Sequence, residues 1–342
     1  MESIKASEVK SIVVIHLDAS SEVILATPVV RMLRKVYSGA QIVLLTVPDA
    51  AAMAQMNPYA DRVLLYDKRG EHRGLSGFVG IVAALRKERF DLAVCLNLSV
   101  RGALVAWSAG IRWRVGFDAQ LARLFLTHSA PVGERAGQRR ALQYLAVLQP
   151  LKISTKNTAL ALAIDPDVEK LVYSTLQLEA GKPIVAICPV NALYPRKGLS
   201  VAKSVEIVSA LKEHAAVYLL GRFAEQPALQ RIAEESGLDP THVFAGSMNL
   251  QEIAVFLQQA SVLLAIDCGL LQMAQALKRP SVALFGPTDP AIYGPSGNKD
   301  AALAAPKPCA PCKKHQACAQ PQCIDAIPTE EIVEKVLARL KL

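Results

Sequence analysis

Two kinds of hydrophobic pattern alternate along this chain. Short runs of consecutive apolar residues fit strands buried on both faces, and longer stretches with apolar positions every three or four residues fit amphipathic helices. In the first half the runs fall at 11–17, 41–47, 62–66 and 92–97, with a shorter one at 112–117. Helical stretches lie between them, at 22–37, 75–89 and 100–110, and a fourth covers 138–151. In the first of these, Val23, Ala26, Val30, Leu33 and Val36 share one side, and Pro28 shifts the expected start toward Thr27. The second half repeats the pattern, with strands expected at 184–188, 217–220, 243–244, 262–266 and 281–285 and helices at 200–213, 225–236 and 249–260. Asp165-Pro166 opens a helix that ends near Gly181. Strands that alternate with helices predict parallel, doubly wound sheets, here two of them, with a junction near 165–182.

The stretch 261–290, SVLLAIDCGLLQMAQALKRPSVALFGPTDP, shows the unit most plainly. A buried strand leads to Asp267 at the expected helix N-cap, then to a helix over 268–277. Lys278, Arg279 and Pro280 close that helix, and a second strand ends at Gly286-Pro287-Thr288. In open α/β sheets, ligands sit at this carboxyl edge, and the N–H groups that open a helix suit a diphosphate. The same unit also occurs with no ligand. The loop after the first strand, HLDASSE, has no glycine, which argues against a dinucleotide fingerprint and a nicotinamide enzyme.

At 342 residues, the chain is long enough for two domains. Its 52% hydrophobic and 20% charged residues describe a globular protein. The net charge of +8 favours anionic partners: phosphates, nucleic acid or an acidic membrane surface. The chain lacks a Lys/Arg block with interleaved aromatics, which counts against nucleic acid. It has no apolar run long enough to span a membrane, and MESIKASEVK lacks the apolar core of a signal peptide. The expected location is therefore cytoplasmic. Two Rossmann-like domains facing across a cleft give a GT-B-type α/β architecture. Periplasmic binding proteins share the pattern, but the N-terminus argues against them.

Several stretches together resemble glycosyltransferase family 9, the ADP-heptose:lipopolysaccharide heptosyltransferases. IVVIHLDASSEVILATPVVRMLRKVYSGAQIVLLT resembles the family's opening strand, turn, TP-containing helix and second strand. RWRVGF resembles its arginine–aromatic strand, and GSMNLQEIAVFLQQASVLLAIDCGLLQMAQALKRPSVALFGPTDP resembles its nucleotide-binding core. CAPCKKHQACAQPQCIDAI resembles a Cys-containing tail found in part of the family. The resemblance implies an acceptor-binding domain over 1–165, joined by a C-terminal helix, 329–342, that packs back onto it. It also implies a nucleotide-sugar-binding domain over 182–328 with the Cys-rich tail at 306–326. The implied reaction is inverting transfer of a heptose from ADP-heptose to a lipopolysaccharide core or related glycan, without a metal for the transfer step. The inner face of an anionic membrane is an implied peripheral contact.

Site residues follow from the same resemblance. Glu22 takes the place of the family's base carboxylate, in Ser21-Glu22 where Gly-Asp is usual. Read from the residues alone, it is also a solvated first-turn acid, favourable to the helix dipole. Asp18 is the second candidate for the base. Lys197 corresponds to a lysine that neutralises the leaving diphosphate, a task Arg196 could share, and Leu199-Ser200 replaces the family's Trp-Pro. Glu225 and Met248 correspond to positions near the ribose and the adenine. Asp267, Cys268, Gly269 and Leu270 keep the D-x-G pattern, Gln272 stands at the family histidine, and Thr288 offers a hydroxyl to the same site.

Seven cysteines divide into two sets. Cys95, Cys188 and Cys268 lie in or beside expected strands, as buried thiols. Cys309, Cys312, Cys318 and Cys323 form C-x2-C-x5-C-x4-C, a spacing that suits a structural zinc or iron site or a set of free thiols, with His315 a lesser ligand. Besides an active heptosyltransferase, two readings are open at this level. One is a family member that binds nucleotide or glycan without catalysis. The other is a transferase of another sugar or onto protein acceptors.

Overall fold

The computed structural model describes residues 4–18, 20–133, 137–312, 318 and 323–341. The chain divides into two units, Met1–Ala163 and Ile164–Leu342.

The first unit holds β1 (Ser11–Ile15), β2 (Gln41–Thr46), β3 (Arg62–Leu65), β4 (Leu92–Cys95), β5 (Trp113–Phe117) and β6 (His128–Ala130). They form one parallel sheet in the order β3-β2-β1-β4-β5-β6. Its helices are α1 (Ser20–Leu25), α2 (Thr27–Val36), α3 (Ala51–Gln55), α4 (Gly74–Glu88), α5 (Val100–Ser108) and α6 (Arg140–Leu145). Central β1 explains why a continuous apolar run is needed. Ile12, Val13, Val14 and Ile15 are all fully buried, because helices cover both faces. Each such side chain contributes about 1.5–3 kcal/mol of transfer free energy. The helix expected over 22–37 is two helices that break at Ala26. Pro28 has no N–H to give the carbonyl four residues back, so the ladder restarts there. The helix expected over 138–151 is α6 followed by a tighter 3-10 turn, Ala146–Leu151, that contains Pro150. A proline ring inside an α-helix clashes with the carbonyl four residues earlier, which disfavours continuation of α6.

The second unit holds β7 (Ile184–Cys188), β8 (Ala216–Gly221), β9 (Val243–Ala245), β10 (Val262–Ile266), β11 (Ser281–Phe285) and β12 (Ala301–Ala304). The parallel order is β12-β11-β10-β7-β8-β9. Its helices are α7 (Pro166–Thr175), α8 (Val201–Leu211), α9 (Gln226–Ser236), α10 (Leu250–Gln259), α11 (Gly269–Ala276), α12 (Pro290–Tyr293) and α13 (Thr329–Leu340). The division falls at Ala163/Ile164 because α7 already packs on α10. Helix α13 packs on α8, β10 and β11 of its own unit. Ile332 and Val336, one turn apart, are fully buried in the core that also holds Val208, Leu211 and Leu284. An apolar face of that kind is satisfied there.

Each sheet runs out from its first strand in one direction and then in the other. The reversal falls between β1 and β4 in one unit and between β7 and β10 in the other. Loops at the carboxyl ends of those strand pairs open a crevice where α/β sheets bind ligands.

Candidate active site

The switch point of the first unit gathers a compact polar cluster. The Leu17 N–H donates to Asn97 Oδ1 at 2.8 Å, tying the loop after β1 to the loop after β4. Glu22 lies in the first turn of α1. Its Oε2 accepts from the Tyr144 hydroxyl at 2.6 Å and lies 3.0 Å from Arg140 Nε, and its Oε1 accepts from Arg140 Nη2 at 3.3 Å. Arg140 and Tyr144 are four residues apart on α6, so one helix face presents both donors to α1. Burial, then the Glu22 charge, pushes the Tyr144 hydroxyl well above its ordinary value, so it remains a donor. A carboxylate has about four lone-pair positions, which leaves Glu22 capacity for another proton donor.

Asp18, the residue after Leu17, is open to solvent. Crowding by neighbouring atoms raises its carboxyl, opposed by Arg140, Lys68 and a hydrogen bond with Asn97. His16 lies behind this cluster, and its imidazole meets the Tyr144 ring edge-on at a centroid distance of 5.2 Å. It is 3% exposed, and neither ring nitrogen has a hydrogen-bond partner among the described residues. Burial lowers it to about 4, with Glu22 opposing and Arg140 reinforcing.

The switch point of the second unit gathers another cluster. Asp267 follows β10 and is nearly buried. Its Oδ2 lies 2.7 Å from Nζ of Lys197, in the short turn Pro195–Lys197 beyond β7. Gly198 lets this turn close on itself, since a Cβ there would lie 3.1 Å from the Asn191 nitrogen and 3.2 Å from Val190 Cα. Leu199 is buried in the core, and the Ser200 hydroxyl caps α8 by accepting from the Lys203 N–H. That is how the Leu-Ser pair closes a loop where the resemblance expects Trp-Pro. Arg196, beside Lys197, is half-buried.

With its side chain turned to Lys197, Asp267 is not the N-cap. Cys268 holds that position and α11 begins at Gly269, followed by Leu270, both half-buried. Gln272 is 1% exposed, its Nε2 donates to the Tyr293 carbonyl at 3.1 Å, and its Oε1 accepts from Gln275 at 3.0 Å. It braces α11 against α12. Glu225 is also engaged internally. Buried after β8, it accepts from the Ala192 N–H, the Arg222 N–H and Arg222 Nη2 at 2.9, 2.7 and 3.1 Å, holding the loops after β7 and β8 together. Met248 lies half-buried in the loop after β9. The Thr288 hydroxyl, after β11, is buried with no hydrogen-bond partner among the described residues.

The cysteine tail is tied to that last loop. The Cys312 N–H donates to the Pro287 carbonyl at 2.8 Å. Burial raises the Cys323 thiol, and Cys309, Cys318 and Cys312 raise it further through their charge. Among the described residues, no group of three or more His, Cys, Asp or Glu side chains is arranged to hold a metal ion. His315 and the rest of 313–317 and 319–322 lie outside the described residues.

His16, Asn97, Arg140, Tyr144 and Cys188 are not marked as site residues by the sequence. Their roles depend on contacts with loops 80 to about 120 residues away. Only the Arg-x3-Tyr spacing hinted at a shared face.

Residues 80–322 match the model of glycosyltransferase family 9 (heptosyltransferase). Lipopolysaccharide heptosyltransferase 2 of Salmonella typhimurium is 24% identical over 227 residues, 63% of this chain and 65% of that protein. The chain thus spans about 65% of the length of that relative. A crystal structure of a family 9 glycosyl transferase from Veillonella parvula superposes with a TM-score of 0.84 at 21% identity, covering 99% of both chains. The structure of E. coli ADP-heptose LPS heptosyltransferase II gives 0.78 at 20% identity, covering 97% of this chain and 98% of that one. These likenesses place the two units in the GT-B-type α/β class.

Proposed function

Because the chain belongs to glycosyltransferase family 9, we propose that it transfers a sugar from a nucleotide-sugar donor to a glycan hydroxyl, with ADP-heptose as donor and a lipopolysaccharide core as acceptor. The observation that carries this reading is the Lys197–Asp267 pair. It sets an ammonium beside the first residues of α11, at the sheet edge where a diphosphate would be held by backbone N–H groups. As the donor's glycosidic bond breaks, negative charge grows on the departing diphosphate. A preplaced ammonium stabilises that charge more in the transition state than before it. Arg196, Thr288 and the backbone at Gly269 and Leu270 complete the donor set, with Glu225 and Met248 shaping the nucleoside end.

The base is Glu22. Arg140 and Tyr144 fix its position, and its spare lone pairs accept the acceptor proton. Asp18, open and raised, is the second carboxylate of the cluster. No metal takes part in transfer. For the tail cysteines we propose a structural zinc or iron, on the C-x2-C-x5-C-x4-C spacing. No helix among the described residues is long and apolar enough to cross a membrane. A cytoplasmic chain that meets an anionic membrane surface through its net charge of +8 fits this reading.

ADP release from ADP-heptose, measured with and without lipopolysaccharide core acceptor, tests the function. Acceptor-dependent release is expected. Binding of ADP without transfer to any acceptor would replace this reading with a binding role. Transfer from a different nucleotide sugar, or to protein, would change the substrates and keep the reaction.

A further inference from the structure

Cys188 and Cys268 take no part in the transfer, yet they meet. Cys188 is the last residue of β7, and Cys268 is the N-cap of α11, just past the neighbouring strand β10. Their sulfurs are 3.6 Å apart with a single S–H contact between them. A disulfide needs about 2.05 Å, so closure asks for an approach of about 1.5 Å. The two side chains sit in different chemical settings. Cys268 is half-buried, and the Leu270 and Leu271 N–H groups at the start of α11 point at its sulfur. Cys188 is 5% exposed. The contact with Cys188, aided by those N–H groups, lowers the Cys268 thiol. The same contact, followed by burial, raises the Cys188 thiol. Cys268, the more open of the two and set against the N–H groups that begin α11, is the nucleophilic sulfur.

We propose that Cys188 and Cys268 form a reversible oxidation site, closed to a disulfide by a hydroperoxide, that controls access of the nucleotide diphosphate to the start of α11. The Cys268 thiolate attacks one peroxide oxygen. The O–O bond breaks, the sulfur becomes a sulfenic acid, and the other oxygen departs as hydroxide or alkoxide, which takes from solvent the proton that the Cys268 thiol gave up. The Cys188 sulfur then attacks the Cys268 sulfur. The S–S bond forms, and the sulfenic oxygen leaves as water with the Cys188 proton. Two electrons pass from the sulfurs to the peroxide, and a dithiol returns them on reduction. Closure draws the Cys268 sulfur off the Leu270 and Leu271 N–H groups and ties the first turn of α11 to β7. Those backbone groups belong to the donor set, so the effect on nucleotide binding rests on the function proposed above. Linkage makes it reciprocal, and bound ADP should shift the dithiol–disulfide equilibrium toward the dithiol by the factor by which closure weakens ADP.

The test uses the full chain treated with hydrogen peroxide, with and without ADP, and mapped by mass spectrometry of unreduced peptides. The expected result is a peptide pair joined through Cys188 and Cys268, formed more slowly with ADP present. Calorimetry should show ADP affinity reduced at least tenfold and restored by dithiothreitol. Cys188→Ser and Cys188→Ala should bind ADP normally and be indifferent to peroxide. Oxidation confined to the tail cysteines, or a Cys188–Cys268 link with ADP affinity unchanged, would overturn the proposal. If the reduced protein binds no ADP, the transferase reading fails, and the peptide map alone then decides whether the pair closes.

Discussion

Replacing His16 by leucine is the sharpest probe of the first cluster. The wild-type imidazole is buried, without partners for either nitrogen, and lowered from 6.5 to about 4. The unfolded chain takes up a proton near 6.5, the folded chain only near 4. Stability is therefore full above pH 6.5 and is lost as pH falls toward 4, because the unfolded state binds more protons in that window. A gap of about 2.5 units at 1.36 kcal/mol each amounts to about 3 kcal/mol over the whole window. Between about pH 7.5 and pH 5, some 2 kcal/mol of it should already be gone. His16→Leu removes that component and leaves the other titrating groups in place. At neutral pH the variant should be no less stable, since an apolar side chain replaces two unsatisfied polar atoms. Urea unfolding of both proteins at the two pH values measures the difference directly. The wild type should lose about 2 kcal/mol more than the variant on acidification. Equal losses would mean that His16 is hydrated or partnered in solution, and the buried cluster described here would be wrong.

Glu22→Gln should slow turnover by about 10²–10⁴-fold with ADP affinity nearly unchanged, and Glu22→Asp should keep activity. Normal turnover in Glu22→Gln together with a dead Asp18→Asn would move the base to Asp18. Lys197→Met leaves the nearly buried Asp267 carboxylate without its ion-pair partner. It should lower thermal stability by about 1 kcal/mol or more and weaken ADP binding at least tenfold at low salt, where an unaltered calorimetric titration would count against the donor site. Elemental analysis of the purified chain should find about one zinc or iron per molecule, released by Cys312→Ser without global unfolding, and four freely titratable thiols with no metal would refute the tail site.

The hydrophobic pattern by itself determined the α/β class, the duplication and most of the strands. Continuous apolar runs such as Ser11–Ile15 and Val262–Ile266 have one good solution, a strand covered on both faces. It also indicated which loops would carry the chemistry, because Asp18, Glu22, Lys197 and Asp267 all follow the ends of such runs. Short elements escaped it. β6, β12 and α12 have three or four residues each, too few to show a period. Tertiary structure decided the partnerships. Glu22 meets Arg140 and Tyr144, 118 and 122 residues away, because parallel strand order brings α1 and α6 to one edge. Asp267 turns from the helix cap to Lys197 because an ammonium at 2.7 Å outweighs a backbone N–H, and the cap passes to Cys268 and brings it against Cys188. Gln272 is spent on Tyr293 and Gln275, which only the packing of α11 against its neighbours could show. Local spacing fixes which residues share a strand or a helix face. Which faces meet depends on the order of strands in the sheet, and that order is set by burial summed over the whole chain.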